Sequence, residues 1–368
     1  MNRLTWPGLA VCAAMLAAGC GRSSAPPGTE PPAERLLRVL NWEDYIDPAL
    51  VEQFTERTGI PVDYQTFATQ DELVGLIRSD PGRSDLVIVD ESVIQTLIDL
   101  QLLRTMDASR LAGLRHLDPP GTTLPPDINP DYAAPYHFGC TLLAYRKDQA
   151  PEPPAAWEAL WDERYRGRIM MPVDFQEVFA VTLLSLGHPM NSGDPRELEE
   201  ARERILRQAP LVLEYTDATT IQEALNSGEA ALGVLYNGDA ARIAATNSQI
   251  GIVLPPEGVP LWVDCFCFPR DARNVEAALA FMDFLMEPDI AAQNAAFLHY
   301  ATPNRAARAL MSPALLEDPA VFPPAAIRAR SSYYLKPDVA RLRMYNSTAA
   351  EVRRLRGALG LGPGTADP

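Results

Sequence analysis

Carboxylates and large aromatic side chains occur together at several places in this sequence, each at or near an apolar run. These residues are Trp42, Asp44 and Tyr45 in "NWEDY", Asp174 and Glu177 in "DFQE", Tyr236 in "VLYNG", Trp262 and Asp264 in "LWVDCF", and Tyr300 in "HYATPN". Taken singly, each has an ordinary structural explanation. Asp174 would cap a helix, where a carboxylate is stabilised, and Trp262 or Tyr300 would belong to a core. Taken together, they are candidates for one binding site.

Paired carboxylates can also act as the acid and base of a glycosidase, provided that they flank the bond from opposite sides. Asp174 and Glu177 are three residues apart, which places them side by side on one helical turn. The sequence contains no G-x-S-x-G, P-loop or H-E-x-x-H pattern, and its four histidines are scattered. We therefore expect a protein that is not an enzyme, with no catalytic residue, metal centre or cofactor.

The elements that must position these residues follow an α/β pattern. Strand-like runs at residues 36–42, 62–67 and 84–90 alternate with helical patterns at 48–59, 69–79 and 92–103. The second helix opens with Thr69 and Glu72 in capping-box spacing. This alternation predicts βαβ units and a parallel sheet, in which ligands bind beyond the carboxyl ends of the strands. The segments "NWEDY" and "VDES" both lie at such ends.

The rest of the chain predicts a second α/β half. Further strands are expected at residues 167–172 and 230–236, and further helices at 175–187, 195–208 and 281–297. Two other runs, 132–146 and 260–271, are able to link the halves, which indicates two lobes joined by a strand hinge. The first lobe is predicted to comprise residues 36–138 and 266–315, the second 139–265 and 316–358, followed by a disordered tail at 359–368.

The N-terminus predicts export. Arg3 precedes a short apolar run that is too short for a membrane span and ends in "LAAGC", with Cys20 as its last residue. Small residues before a cysteine resemble a bacterial lipobox, so residues 1–19 are predicted to be a lipoprotein signal peptide with lipid on Cys20. An ordinary signal peptide cut nearby is the alternative. Residues 20–35 are rich in Pro, Gly and Ser and are predicted to be a flexible tether.

The composition restricts the partners. The formal net charge is −16, which argues against nucleic acid and is compatible with a cationic ligand. After the N-terminal cysteines, Cys140, Cys265 and Cys267 remain, and they lack zinc-site or thioredoxin spacing. We expect buried thiols, with a disulfide to Cys140 as the alternative.

A series of segments in fixed order resembles a known family. These are "LNWEDYIDPALVEQFTERTGIPVDY", "SDLVIV", "WEALWDERYRGRI", "DFQEVFAVTLLSLG", "LGVLYNG", "LWVDCFCFPRDARNVEAALAFMDFLMEPDIA" and "YATPNRAA". They are similar to the spermidine/putrescine-binding proteins of bacterial ABC transporters, from about Leu37 to "FPPAAIRAR". The resemblance implies a two-lobed, type II periplasmic binding protein fold. Each lobe would have a mostly parallel sheet with helices on both faces, and the ligand cleft would lie between the lobes.

The same resemblance implies a function. The protein would be a monomeric receptor, located on the periplasmic or cell-surface side. It would capture a polyamine and deliver it to an ABC transporter permease in the inner membrane, while lipid keeps it close by. A polyamine is a methylene chain bearing ammonium groups. Aromatic faces contact its methylenes and attract nearby cations, and carboxylates hold its ammonium groups through charge-assisted hydrogen bonds.

The resemblance, together with the positions where this chain departs from it, gives ten candidate ligand-binding residues. They are Trp42, Asp44, Tyr45, Asp90, Asp174, Glu177, Tyr236, Trp262, Asp264 and Tyr300. In the family, the acid matched by Asp264 holds an ammonium near the hinge. The acids matched by Asp174 and Glu177 come from the second lobe, and the aromatics matched by Trp42 and Tyr45 line the cleft from the first.

The departures bear on specificity. Tyr236 stands where spermidine binders usually have tryptophan, and Asp44 agrees with the "W-x-D-Y" of putrescine binders. The "VDES" turn puts Asp90 at a position that is normally small and polar. Asp90 would either hold an additional ammonium, which favours a triamine, or hydrogen-bond its own backbone. Glu43 and Glu91 are expected to be solvated. Another organic cation, such as agmatine or a basic amino acid, and a sensor role are the alternatives.

Overall fold

The computed structural model of the protein describes residues 36–118, 129–150 and 152–361. The predicted signal peptide, the lipid site at Cys20 and the tether lie outside these residues, as does the predicted tail from residue 362 onward. Leu359 to Leu361 form a turn after the last helix, in which the Leu361 N–H donates to the Arg356 carbonyl at 3.0 Å. Within the described ranges, no helix is both long and apolar enough to cross a membrane.

Strands and helices alternate along the described chain. The strands are β1 (Leu37–Trp42), β2 (Val62–Phe67), β3 (Leu86–Asp90), β4 (Leu103–Arg104), β5 (Ala133–Arg146), β6 (Ile169–Pro172), β7 (Val212–Thr216), β8 (Leu232–Tyr236), β9 (Ile250–Val253), β10 (Pro260–Pro269) and β11 (Ser332–Tyr333). The α-helices are α1 (Pro48–Thr58), α2 (Gln70–Ser79), α3 (Glu91–Asp99), α4 (Phe175–Ser185), α5 (Pro195–Gln208), α6 (Ala218–Ser227), α7 (Asn237–Thr246), α8 (Val275–Leu285), α9 (Pro288–Leu298), α10 (Arg305–Arg308), α11 (Pro313–Leu316), α12 (Ala325–Arg328) and α13 (Val339–Ala358).

The first lobe is built on β1, β2 and β3, which pair in parallel, with β10 antiparallel to β3. Successive residues of a strand face opposite sides of a sheet. Accordingly, Leu86 and Ile88 belong to a buried cluster that also contains residues of α1 and α8. Val87 and Val89 belong to a second cluster with residues of α2 and α3. Helices therefore cover both faces of this sheet, and the predicted fold class is confirmed.

The second lobe repeats this plan. Strand β6 pairs in parallel with β7 and β8, and β5 runs antiparallel to β8. Helix α4 packs against α5 and α13, so the C-terminal helix returns to the second lobe. The strand order β2-β1-β3-β10-β5-β8-β6-β7 makes one continuous sheet through both lobes.

Strands β5 and β10 cross between the lobes. Residues 133–137 of β5 pair with the part of β10 that also pairs with β3, whereas residues 141–145 pair with β8. The register of the β5–β10 pair shifts between Asp264 and Cys265. The crossing strands coincide with the two runs that the sequence pattern indicated as links, and the exact lobe boundaries remain a prediction.

One predicted helix is shorter than expected, and another is divided in two. Helix α3 ends at Asp99 rather than near residue 103, because Gln101 takes a φ of 55° and Leu103 pairs with Pro269 of β10. The helix predicted over residues 281–297 is two helices, α8 and α9. Pro288 occupies the first turn of α9, where proline is accommodated because the N–H it lacks has no intrahelical partner there.

Helix starts follow the predicted capping chemistry. The Thr69 Oγ1 accepts from the Glu72 N–H at 3.2 Å, and the Glu72 Oε2 accepts from the Ala68 N–H at 2.9 Å. This is the reciprocal pattern of a capping box, with the return bond reaching one residue further back than usual. The three thiols of Cys140, Cys265 and Cys267 are free and buried, as expected.

Candidate functional site

A cavity lies between the lobes, at the carboxyl ends of β1, β3, β6, β7 and β8. It contains about 1210 Å³ of empty space, including its open mouth. Its wall includes all ten candidate residues: Trp42, Asp44, Tyr45, Asp90, Asp174, Glu177, Tyr236, Trp262, Asp264 and Tyr300. The topology explains why seven of them meet, since parallel strands deliver their carboxyl ends to one edge of the sheet. Trp262 and Asp264 come from the crossing strand β10, and Tyr300 follows α9. The structure brings the candidates together, and their roles in binding remain a proposal.

Asp264 lies at the centre of the site, on the crossing strand β10. Its Oδ1 accepts from the Trp42 Nε1 at 3.1 Å and its Oδ2 from the Tyr45 hydroxyl at 2.7 Å. Asp264 is 6% exposed and lies opposite Asp90 in the antiparallel register of β10 and β3. Burial raises the pKa of the Asp264 carboxyl well above its ordinary value, and the charge of Asp90 raises it further. An ammonium in the cavity would stabilise the ionised form.

Two hydrogen bonds to buried side chains hold the loop after β1, which carries Asp44 and Tyr45. The Tyr136 hydroxyl donates to the Tyr45 carbonyl at 3.1 Å. The Asp47 N–H donates to the Asn294 Oδ1 at 2.9 Å. Asp44 has an exposed side chain and a φ of 52°, a conformation that aspartate tolerates better than most residues. These bonds fix the direction in which the Tyr45 hydroxyl points.

Of the two roles that the sequence left open for Asp90, the hydrogen bond within its own turn is observed, and the binding of an ammonium stays a prediction. Asp90 is the N-cap of α3, where its Oδ1 accepts from the Ser92 N–H at 2.9 Å and from the Ser92 hydroxyl at 2.5 Å. It also lines the cavity. The expectation that Glu91 is solvated is wrong. Glu91 is 8% exposed, and its Oε2 accepts from the Val263 N–H at 2.8 Å, because it faces the neighbouring strand β10. Glu43 is exposed, as expected.

The second lobe contributes a carboxylate pair at the start of α4. Asp174 caps this helix, and its Oδ1 accepts from the Gln176 N–H at 2.8 Å. Glu177 is buried, and its Oε1 accepts from the Thr141 hydroxyl at 3.1 Å and the Tyr334 hydroxyl at 3.4 Å. Burial raises the pKa of Asp174 to about 6 and that of Glu177 to about 8. A cation in the cavity would favour the ionised form of both carboxyls.

Aromatic rings form the remaining wall. The Trp262 ring centroid lies 5.0 Å from that of Tyr300 and 5.9 Å from that of Tyr236, both in edge-on geometry. Tyr45 lies 5.4 Å from Tyr300. Trp262 fits beside β5 only because residue 139 is glycine, where a Cβ would lie 2.4 Å from the Trp262 ring. These faces can cover an alkyl chain and attract cations.

Sequence reasoning missed further residues of this cavity region, among them four polar residues next to the candidates. Asp239 and Arg242 of α7 and Tyr334 line the cavity, and Thr141 contacts Glu177. Asp239 follows the end of β8 by three residues, so the strand-end rule would have found it. Tyr334 arrives from the C-terminal segment, where no local pattern marks it.

The site can therefore hold an elongated organic cation. It combines buried carboxylates, which favour a charged partner, with aromatic faces, which favour methylenes. The described residues contain no group of three or more His, Cys, Asp or Glu side chains that could hold a metal ion. An arrangement of acids along an aromatic slot differs from the convergent oxygen shell that a calcium or magnesium ion requires.

Comparison with known proteins agrees with this chemistry. The family described as bacterial extracellular solute-binding protein matches residues 49–323. The chain is 33% identical to the spermidine/putrescine-binding periplasmic protein of Escherichia coli K12 over 291 residues, which are 78% of this chain and 83% of that protein. It is 28% identical to a putrescine-binding periplasmic protein of the same bacterium, with 82% and 87% covered. The structure of a spermidine/putrescine ABC transporter substrate-binding protein from Streptococcus pneumoniae is similar, with a TM-score of 0.76, 30% identity, and 87% of this chain and 99% of that chain covered.

Proposed function

The chain belongs to the bacterial extracellular solute-binding proteins and is a receptor of an ABC transporter rather than an enzyme, and from this premise we propose that its solute is a polyamine, putrescine or spermidine. The polyamine is captured in the cavity between the lobes and delivered to the membrane permease.

One observation supports this proposal most strongly. The buried Asp264 carboxylate receives hydrogen bonds from Trp42 and Tyr45, within a wall that includes Trp262 and Tyr300. The same cavity presents a second carboxylate pair, Asp174 and Glu177, at the start of α4 in the second lobe. Two separated acidic groups joined by aromatic faces match a molecule with two ammonium groups joined by methylenes.

The proposed roles follow from the contacts. One ammonium binds at Asp264, with Asp90 beside it, and the other binds at Asp174 and Glu177. The rings of Trp42, Tyr45, Tyr236, Trp262 and Tyr300 cover the alkyl stretch, and Asp44 lies at the rim. Because the acids of the two groups lie on different lobes and on the crossing strand, the ligand bridges the lobes. Closure about β5 and β10 then buries it.

Calorimetric titration tests the proposal. A soluble variant comprising residues 21–368 is unfolded and refolded to remove any endogenous ligand. It is then titrated with putrescine, spermidine, spermine and agmatine. We expect tight one-to-one binding of putrescine or spermidine. Binding of agmatine alone would assign the slot to a different cation, and absence of heat with all four would reject the polyamine.

We further propose that the mature receptor is a monomer held at the membrane by lipid on Cys20. The "LAAGC" segment and the Pro- and Gly-rich stretch after it support this proposal. Replacing Cys20 by Ala should move the protein from the membrane fraction to the soluble extracytoplasmic fraction. Light scattering of the soluble variant should give the mass of one chain.

A further inference from the structure

One basic side chain, Arg242 of α7, is found among the described residues that line the otherwise acidic cavity. Its Nη2 lies 2.5 Å from the Asp239 Oδ1, and its Nη1 donates to the Asp44 carbonyl at 3.2 Å. The Arg242 side chain is 21% exposed and that of Asp239 is 9% exposed. The guanidinium is therefore largely withdrawn from water and held by two partners.

Asp239 would otherwise be an additional acid of the slot. It is buried, it lines the cavity, and it follows Gly238, whose Cα faces the Tyr300 ring so closely that a Cβ would lie 2.5 Å from it. Asp239 has therefore the same surroundings as the other cavity acids: little water and an adjacent aromatic ring. It differs from them in having a cation at contact distance.

Five of the cavity acids thus fall into three groups by their counter-charge. Three further acids line the cavity: Glu43 and Asp44, whose side chains are exposed, and Asp217, which caps α6. Asp264 with Asp90, and Asp174 with Glu177, form no ion pair with any described residue. Asp239 is already neutralised by Arg242. A neutralised carboxylate gives an incoming ammonium little net attraction, and the guanidinium repels it at short range.

The bond to Asp44 fixes where this charge lies. Arg242 belongs to the second lobe, and Asp44 follows β1 in the first. The Arg242 guanidinium hydrogen-bonds to Asp239 of α7 and to the Asp44 carbonyl in the loop after β1. It therefore bridges the two lobes at the end of the cavity where Asp44 lies. To leave this end of the cavity, the guanidinium would have to give up both hydrogen bonds.

We propose that Arg242 is a specificity-determining residue, a built-in cation that occupies the third acidic position of the slot and limits the ligand to two ammonium groups. This proposal rests on the proposed function, because it concerns which polyamine the same slot prefers. It predicts that removing the guanidinium opens an ammonium site at Asp239 and shifts preference from diamine to triamine.

Titration of the Arg242→Gln variant with putrescine and spermidine tests this. We expect the ratio of the spermidine Kd to the putrescine Kd to fall at least tenfold relative to wild type. The Arg242→Lys variant, which keeps the charge, should keep the wild-type ratio. The double variant Asp239→Asn/Arg242→Gln should lose most of the gain, because the freed acid is then absent.

Arg202→Gln is the matched control. Arg202 also pairs with an acid three residues away, Glu199, and its side chain is 24% exposed, but it lies outside the cavity. The Arg202→Gln substitution changes the net charge by the same amount as Arg242→Gln, so an effect of overall charge would appear in both variants. An Arg242→Gln ratio equal to that of Arg202→Gln would overturn the inference while leaving polyamine binding intact. If wild type and Arg202→Gln bound no polyamine at all, the proposed function would fail and the inference with it.

Discussion

The Asp264 carboxylate accepts hydrogen bonds from two donors of the first lobe, and burial raises its pKa. The neighbouring charge of Asp90 raises this pKa further. The unliganded site is therefore electrostatically unfavourable, and the missing stabilisation is what a cation supplies. Under the proposed function, this would explain why Asp264, Asp90, Asp174 and Glu177 share one cavity without ion-pair partners.

Replacing Asp264 by Asn should weaken polyamine binding by about 2–5 kcal/mol, because a buried ammonium loses its charged partner. The shape is kept, and Asn can still accept from Trp42 while donating to the Tyr45 hydroxyl oxygen. The unliganded variant should consequently be at least as stable as wild type in thermal unfolding. Asp271→Asn, an exposed acid outside the cavity, is the control. Equal affinity of Asp264→Asn and wild type would remove Asp264 from the site.

Binding should release protons near neutral pH. The raised pKa values, about 8 for Glu177 and about 6 for Asp174, mean that part of the empty site is protonated at pH 7. An ammonium favours the ionised carboxylates, so affinity should rise from pH 6 to pH 8.5. Calorimetry at pH 7 in buffers of different ionisation enthalpy measures the protons released. A constant heat in all buffers, with a constant Kd, would contradict this.

The strand-end rule and the family resemblance located the ten candidate residues. The same rule could have pointed to Asp239, but no sequence signal marked its burial or its ion pair with Arg242 as part of the site. In sequence, an Asp and an Arg three residues apart on a helix look like any solvated surface pair, such as Glu199 and Arg202. What distinguishes Asp239 is burial against Tyr300, and this depends on contacts between segments 61 residues apart.

At the scale of elements, the crossing strand β5 packs closely against Trp262 because its residue 139 is glycine and has no side chain. A Cβ at residue 139 would lie 2.4 Å from the Trp262 ring and 2.3 Å from the Asn237 Oδ1. The ring and the amide are both held in the wall between the lobes. The glycine thus couples the geometry of the hinge to that of the aromatic slot.

The Gly139→Ala variant should lower the free energy of unfolding by about 1–3 kcal/mol, because overpacking forces its neighbours to move. It should also weaken polyamine binding, because Trp262 is displaced. Gly75→Ala is the matched control, since an added Cβ there meets nothing within 4 Å and lies on the exposed face of α2. Wild-type stability and affinity in Gly139→Ala would show that the ring moves freely.

The elements that periodicity and caps predicted are present with the predicted type, but two lengths differ, and elements such as β7, α6 and α13 were not predicted. The apolar pattern of residues 92–103 continues past Asp99, yet Leu103 is taken by pairing with β10. That long-range pairing gives no local signal. Pro288, by contrast, is visible in the sequence as a helix breaker. The helical pattern continues on both sides of it, so the boundary between α8 and α9 was not predicted.

At the scale of the whole molecule, the lobes share one sheet. Strand order places β10 between β3 and β5, with backbone pairing on both sides. The sequence indicated the two crossings but not this order, because the neighbours of β10 lie more than a hundred residues away along the chain. This strand order is determined by tertiary contacts along the whole chain.

The shared sheet should make the two lobes unfold as one unit. Far-ultraviolet circular dichroism, which reports all elements, and tryptophan fluorescence should give coincident thermal transitions. Polyamine at a hundred times its Kd should move both together, by about 2.7 kcal/mol of added stability. Separate transitions, or a shift of only one signal, would mean that the lobes are thermodynamically independent.

The position of β10 also affects when the protein can fold. Strand β3 ends at Asp90, but its partner β10 begins only at Pro260, 170 residues later. During synthesis, the first lobe therefore keeps an open sheet edge and an unfilled core until most of the chain has been made. Contacts so distant in sequence form slowly. If the chain is exported as the N-terminus predicts, we expect this delay to favour export, because a first lobe that lacks β10 should not fold stably before the chain is translocated.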